Sequence, residues 1–131
     1  MMVTEFFMAM DPPTVTHQEK KVHVVNGKPV FYEPDELTAA RQKLIGHLSK
    51  FAPAQKYGSA VELVTKWCFP KGCHRNGEYR ETKPDTDNLQ KLLKDCMTAC
   101  GFWKDDCLVC REITEKFWAD LPGIYIRISE L

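Results

Sequence analysis

Apolar and polar positions along the chain alternate between a two-residue and a helical period, and the switches mark the elements. "VTEFFMAM" near the start is rich in β formers and stops at Asp11-Pro12-Pro13. "VHVVNGKPVFY", Val22 to Tyr32, reads as two β-rich runs joined by Asn26-Gly27, the strongest short hairpin signal. "EPDELTAARQKLIGHLSKF" follows with Asp35 and Glu36 in a first helical turn. Leu37, Ala40, Leu44 and Leu48 then recur at helical spacing, and Pro53 lies just past the end. Ser59 to Phe69 alternates as a strand, and Pro70 to Pro84 is a polar loop long enough to suggest a functional role. The clearest helix begins near Asp87, with Leu89, Leu92, Leu93, Cys96, Met97 and Cys100 on one stripe and Gly101 as its stop. After the connector "FWKDD", "CLVCREITEKFWA" and "GIYIRISEL" read as strands around a Leu121-Pro122-Gly123 turn. The order β, ββ, α, β, α, β, β predicts an α+β fold, a mixed β-sheet packed against helices, in a single domain over residues 1–131.

Composition narrows this picture without changing it. A chain of 131 residues with 44% hydrophobic content suits one domain with a modest core, which needs neither disulfides nor metal to fold. No stretch is apolar enough to span a membrane. "MMVTEFFMAM" carries Glu5 and lacks a basic flank, so it reads as a first strand and not as an export signal. A reducing cytoplasm is therefore expected, with the six cysteines as free thiols. Net charge is zero, but residues 1–80 carry 11 basic against 8 acidic side chains and residues 81–131 carry 7 against 10. The acidic half holds the clustered aspartates.

Those aspartates bracket the second helix. "KPDTDN" brings Asp85 and Asp87 to its start, Lys91 and Asp95 follow at four-residue steps on the same face, and Asp105-Asp106 come just after its end. If the strand after Asp106 runs beside the helix start, the carboxylates converge. Two or three converging carboxylates suit a hard divalent cation such as Mg²⁺, which can clamp a phosphate oxygen and activate water. A nearby lysine can steady charge building on phosphorus. The plainer alternative is a capped helix start on a solvated face, with Lys91 pairing Asp87 or Asp95.

At these residues the sequence resembles the RusA family of Holliday junction resolvases, small phage and prophage endonucleases. The family pattern is P-D-x-D-N, a lysine three residues after the asparagine, a D-A-like step late in the helix and a D-D pair before a strand. It appears here as "KPDTDNLQKLLKDCMTACGFWKDDCLV", from Lys83 to about Val109. "VHVVNGKPVFYEPDEL" is similar to the hairpin and helix start of phage members, and "LPGIYIRI" to the terminal strand, so the likeness covers most of the chain. It implies that Asp85, Asp87 and Asp106 are metal-binding carboxylates, that Asp105 accompanies them, that Lys91 is the catalytic lysine and that Asn88 supports the site. It also implies Mg²⁺ or Mn²⁺ as cofactor, a homodimer, four-way DNA as substrate, paired symmetric nicks, and a phage- or prophage-encoded protein of the bacterial cytoplasm. Two departures are Asp95-Cys96 where many members have Asp-Ala, and Cys107-Leu108 where polar residues are common. Neither alters an expected ligand.

Other features are weighed against this frame. Lys20, Lys21, Lys28 and His23 make the hairpin locally basic, and Lys71, Arg75, Arg80 and Lys83 decorate the loop that delivers Asp85. These lysines and arginines are candidate DNA-backbone contacts. Phe102 and Trp103 could stack on an unpaired base, although an apolar pair of this kind is more often core. Cys107-x-x-Cys110 with Cys68, Cys73 and His74 has zinc-like spacing, but in a strand its two cysteines would face opposite ways. The alternative function is a non-catalytic junction- or fork-binding protein that keeps the aspartates as a structural metal clip.

Overall fold

The computed structural model describes residues 1–16, 21–32 and 34–131. Among them four strands make one sheet: β1 (Val3–Ala9), β4 (Val61–Pro70), β5 (Val109–Ala119) and β6 (Gly123–Glu130), in the order β1-β6-β4-β5. β4 and β5 are parallel, while β6 is antiparallel to both β1 and β4, so the sheet is mixed as expected. β2 (Lys21–Val25) and β3 (Lys28–Tyr32) form a separate antiparallel ribbon. Its turn holds Asn26 at φ 52° and Gly27 at φ 75°. Two successive positive φ values are what a tight hairpin needs, and Asn-Gly supplies them with least strain.

Helices α1 (Asp35–Leu48) and α2 (Thr86–Ala99) cover the sheet. Alternation along β4 turns Val61, Leu63, Trp67 and Phe69 inward, and β6 adds Ile124, Ile126 and Ile128. Leu37, Leu44 and Leu48 of α1 and Leu89, Leu92, Leu93, Cys96 and Met97 of α2 complete the same core. Each fully buried aliphatic side chain contributes roughly 1.5–3 kcal/mol. One polar link crosses the layers: Thr65 Oγ1 and Trp67 Nε1 both donate to Gln90 Oε1, at 2.8 and 3.0 Å. Because Trp67 can only donate, it fixes which way the Gln90 amide faces. Gly123 lies where β6 passes β1 so closely that an added Cβ would strike the Met8 carbonyl and the Phe7 ring.

The chain from β4 through α2 to β5 is a parallel crossover. It differs from expectation at one end. The strand predicted from Cys107 begins at Val109, and Asp106–Leu108 form a 3-10 turn instead. The reason is the anchor before it: Phe102 and Trp103 are wholly buried and tie the connector down, so the chain needs a tight turn to enter the sheet. Tyr57 N–H donates to the Phe102 carbonyl at 2.9 Å, and Trp103 Nε1 donates to Thr98 Oγ1 at 2.7 Å. The burial of both rings removes the base-stacking alternative for this pair.

Candidate active site

Asp85 occupies the N-cap position of α2 with an extended backbone (φ −74°, ψ 148°), yet its carboxylate makes no capping hydrogen bond. That weakens the plain capping explanation, because a cap works through the side-chain oxygen and the free N–H groups of the first turn. Asp87, within the first turn, is also exposed. Neither carboxylate has a hydrogen-bond or ion-pair partner among the described residues. Both oxygen pairs are therefore open to an external cation, and a hard divalent ion accepts one or two carboxylates with water completing its shell.

Asp87, Gln90, Lys91 and Lys94 of α2 and Glu112 and Thr114 of β5 line an open cleft of ≈ 490 Å³. Lys91 lies on the Asp87 face as the spacing predicts, and its ammonium pairs with Asp95 at 3.4 Å rather than with Asp87. Asp95 also meets Arg41 at 3.9 Å. An exposed pair of this kind is worth about 0–1 kcal/mol, so Lys91 can be drawn to a stronger anion at little cost. Lys94 is bound to Glu112 at 3.1 Å. Asn88 is half-buried, and its side chain bonds no described residue.

Asp105 and Asp106 lie at the other end of the helix. α2 runs 14 residues, about 20 Å along its axis. The 3-10 turn at Asp106 opens β5, whereas the Asp85 end faces Lys116, whose ammonium donates to the Pro84 carbonyl at 2.8 Å. Val109 to Lys116 along β5 spans roughly 23 Å. Two independent rulers thus keep Asp106 away from Asp85 and Asp87 within one subunit. Among the described residues no three His, Cys, Asp or Glu side chains gather where they could hold a metal. The expected strand beside the helix start does exist, but β5 reaches that point with Lys116 and not with the aspartates, because α2 and β5 run in opposite directions. Asp105 has a local role as well: it accepts a hydrogen bond from the Cys107 thiol, which raises that thiol above its ordinary range.

The basic candidates divide. Lys20 lies outside the described residues, as does the side chain of Lys21, and Lys28 is exposed in the hairpin. Arg75 and Lys83 are exposed in the 71–84 loop, and Lys71 pairs with Asp120 at 3.4 Å. Arg80 is committed inward, lying 4.3 Å over the Phe69 ring and 4.5 Å over Trp118. Lys116 is a functional candidate that the sequence pattern did not flag. Burial above all holds its ammonium below the usual lysine range, Arg80 adds to this, and Asp85 opposes it. No helix among the described residues is long and apolar enough to cross a membrane.

A small α+β domain that exposes paired aspartates and a lysine on one helix start, fed by a basic loop, carries the charged groups of a protein that acts on phosphate esters. Comparison with known proteins makes that class specific. The family model described as "Endodeoxyribonuclease RusA" matches residues 11–129. A "Crossover junction endodeoxyribonuclease rusA" of Lactococcus phage r1t is 30% identical over 130 residues, spanning 97% of this chain and 98% of the relative. This chain belongs to the RusA endodeoxyribonuclease family.

Proposed function

We propose that the protein is a divalent-metal-dependent endonuclease that resolves four-way DNA junctions by paired symmetric nicks. The observation that carries this reading is the pair Asp85 and Asp87 at the start of α2, free of described partners, with Asp87 and Lys91 lining one cleft. Asp85, Asp87 and Asp106 would hold Mg²⁺ or Mn²⁺, with Asp105 assisting. A bound cation supplies charge neutralisation at the phosphate and activation of water. Lys91 leaves Asp95 to meet the negative charge that develops on the phosphate. Asn88 steadies the helix start. Lys28, Lys71, Arg75 and Lys83, together with Lys20 and Lys21, contact the DNA backbone and make binding salt-dependent. Synthesis from a phage or prophage and action in the bacterial cytoplasm fit the phage origin of the relative.

The separation of the two aspartate pairs favours a homodimer with composite sites. The outer edge of β5 from Val109 to Glu115 has no backbone partner among the described residues, while Lys116 to Trp118 are covered by the 77–80 segment. If two such edges pair antiparallel, each strand's start meets its partner's end. Asp106 of one copy then approaches the Asp85 end of the other. Two identical sites related by a two-fold axis suit two symmetric cuts.

The test is an Asp87→Asn protein on a synthetic four-way junction with Mg²⁺. Retained binding with lost cleavage supports the enzyme. An unmutated protein that binds the junction but never cuts it, whichever divalent metal is supplied, would leave only a junction-binding module.

A further inference from the structure

Three consecutive backbone carbonyls immediately before Asp85 are gripped by two cations. Lys116 Nζ donates to the Thr82 carbonyl at 2.7 Å and to the Pro84 carbonyl at 2.8 Å. The Arg80 guanidinium donates to the Lys83 carbonyl at 2.6 Å and, through Nε, to Thr82 Oγ1 at 3.2 Å. Arg80 is fixed in turn by the Phe69 and Trp118 rings, and its backbone N–H donates to the Lys116 carbonyl at 3.0 Å. Both cations are therefore seated on the sheet, since Phe69 belongs to β4 and Lys116 and Trp118 belong to β5. Holding two like charges side by side and half-buried is unfavourable unless something repays it. Here the return is a fixed loop.

We propose that Arg80 and Lys116 are positioning residues that set the Asp85 carboxylate for cation binding. This rests on the reading of Asp85 as a metal ligand. A cation tolerates little displacement of its ligands, and among the described residues no other hydrogen bond ties residues 82–84 to the sheet. The assignment also gives Arg80 a task other than direct contact with DNA phosphates.

The test uses Lys116→Met, Lys116→Arg and Arg80→Lys in the full chain. Mn²⁺ affinity is measured by calorimetry without DNA, and amide exchange is followed across residues 82–88. Lys116→Met is expected to lose about 10- to 100-fold in Mn²⁺ affinity, as outer-shell partners do. Amide exchange at 82–88 should quicken while the cooperative melt is kept. Lys116→Arg should restore most of the affinity, because it can still donate to both carbonyls. Arg80→Lys should fall between, and it carries the test if Lys116→Met fails to fold. Wild-type affinity and exchange in both Lys116→Met and Arg80→Lys would overturn the proposal. If the unmutated chain binds no Mn²⁺, the metal reading itself fails and exchange alone decides the clamp: faster exchange in the variants keeps it, unchanged exchange sinks it.

Discussion

The two ends of α2 present acidic pairs by opposite means. At the start, Asp85 follows a polar loop whose carbonyls are held by Lys116 and Arg80. At the finish, Asp105 and Asp106 follow Phe102 and Trp103, which are wholly buried and lock the connector through packing. The first end is held by directional bonds and charge, the second by shape. The contrast teaches that each pair is fixed in its own place, by bonds at one end and by packing at the other. Rigid placement at both ends of a helix about 20 Å long means that no local loop movement closes the gap.

Breaking the comparison at its first end should have the largest effect on activity. Asp87→Asn removes an exposed carboxylate without a described partner, so stability should stay within about 0.5 kcal/mol. The several kcal/mol a clamping cation supplies correspond to roughly a thousand-fold loss of cleavage, read in single-turnover assays. At the second end the order reverses. Trp103→Ala should cost about 3–5 kcal/mol in urea melts, since it empties a core position, and cleavage falls because the fold fails. Lys91→Ala sharpens the first end further: cleavage should drop on the order of a hundred-fold. Losing its exposed pair with Asp95 should move the melt by no more than about 0.5 kcal/mol. The smallest effect belongs to Asp105→Asn. Losing the bond that raises the Cys107 thiol should increase its thiolate fraction at a fixed mildly alkaline pH. Iodoacetamide should then label Cys107 a few-fold faster, with Cys73 as the internal reference.

Much of this was legible in the chain because it is local. The α2 stripe from Leu89 to Met97 states its own period, Asn26-Gly27 states its turn, and the aspartates and Lys91 carry their spacing with them. What the sequence withheld depends on strands that meet across the chain. The parallel pairing of β4 with β5, Val61 opposite Val109, decides that β5 starts at the far end of α2. That non-local choice sends Asp105 and Asp106 away from Asp85 and brings Lys116 to it instead. Gln90 was hidden for a related reason: it sits among polar helix positions, and only the approach of Thr65 and Trp67 makes it a buried acceptor. The burial of Trp103 agreed with the usual habit of large apolar rings, against the more specific idea of base stacking.

The central claim is that a working site takes Asp85 and Asp87 from one copy and Asp106 from another. It is tested most directly by mixing two inactive proteins, Asp87→Asn and Asp106→Asn, through co-expression or joint refolding, and assaying nicking of a four-way junction with Mg²⁺. In a mixed dimer one composite site retains all three aspartates, so the account predicts that nicking returns in the mixture while each parent stays inactive. A mixture as inactive as its parents, in dimers confirmed to contain both chains, would contradict it.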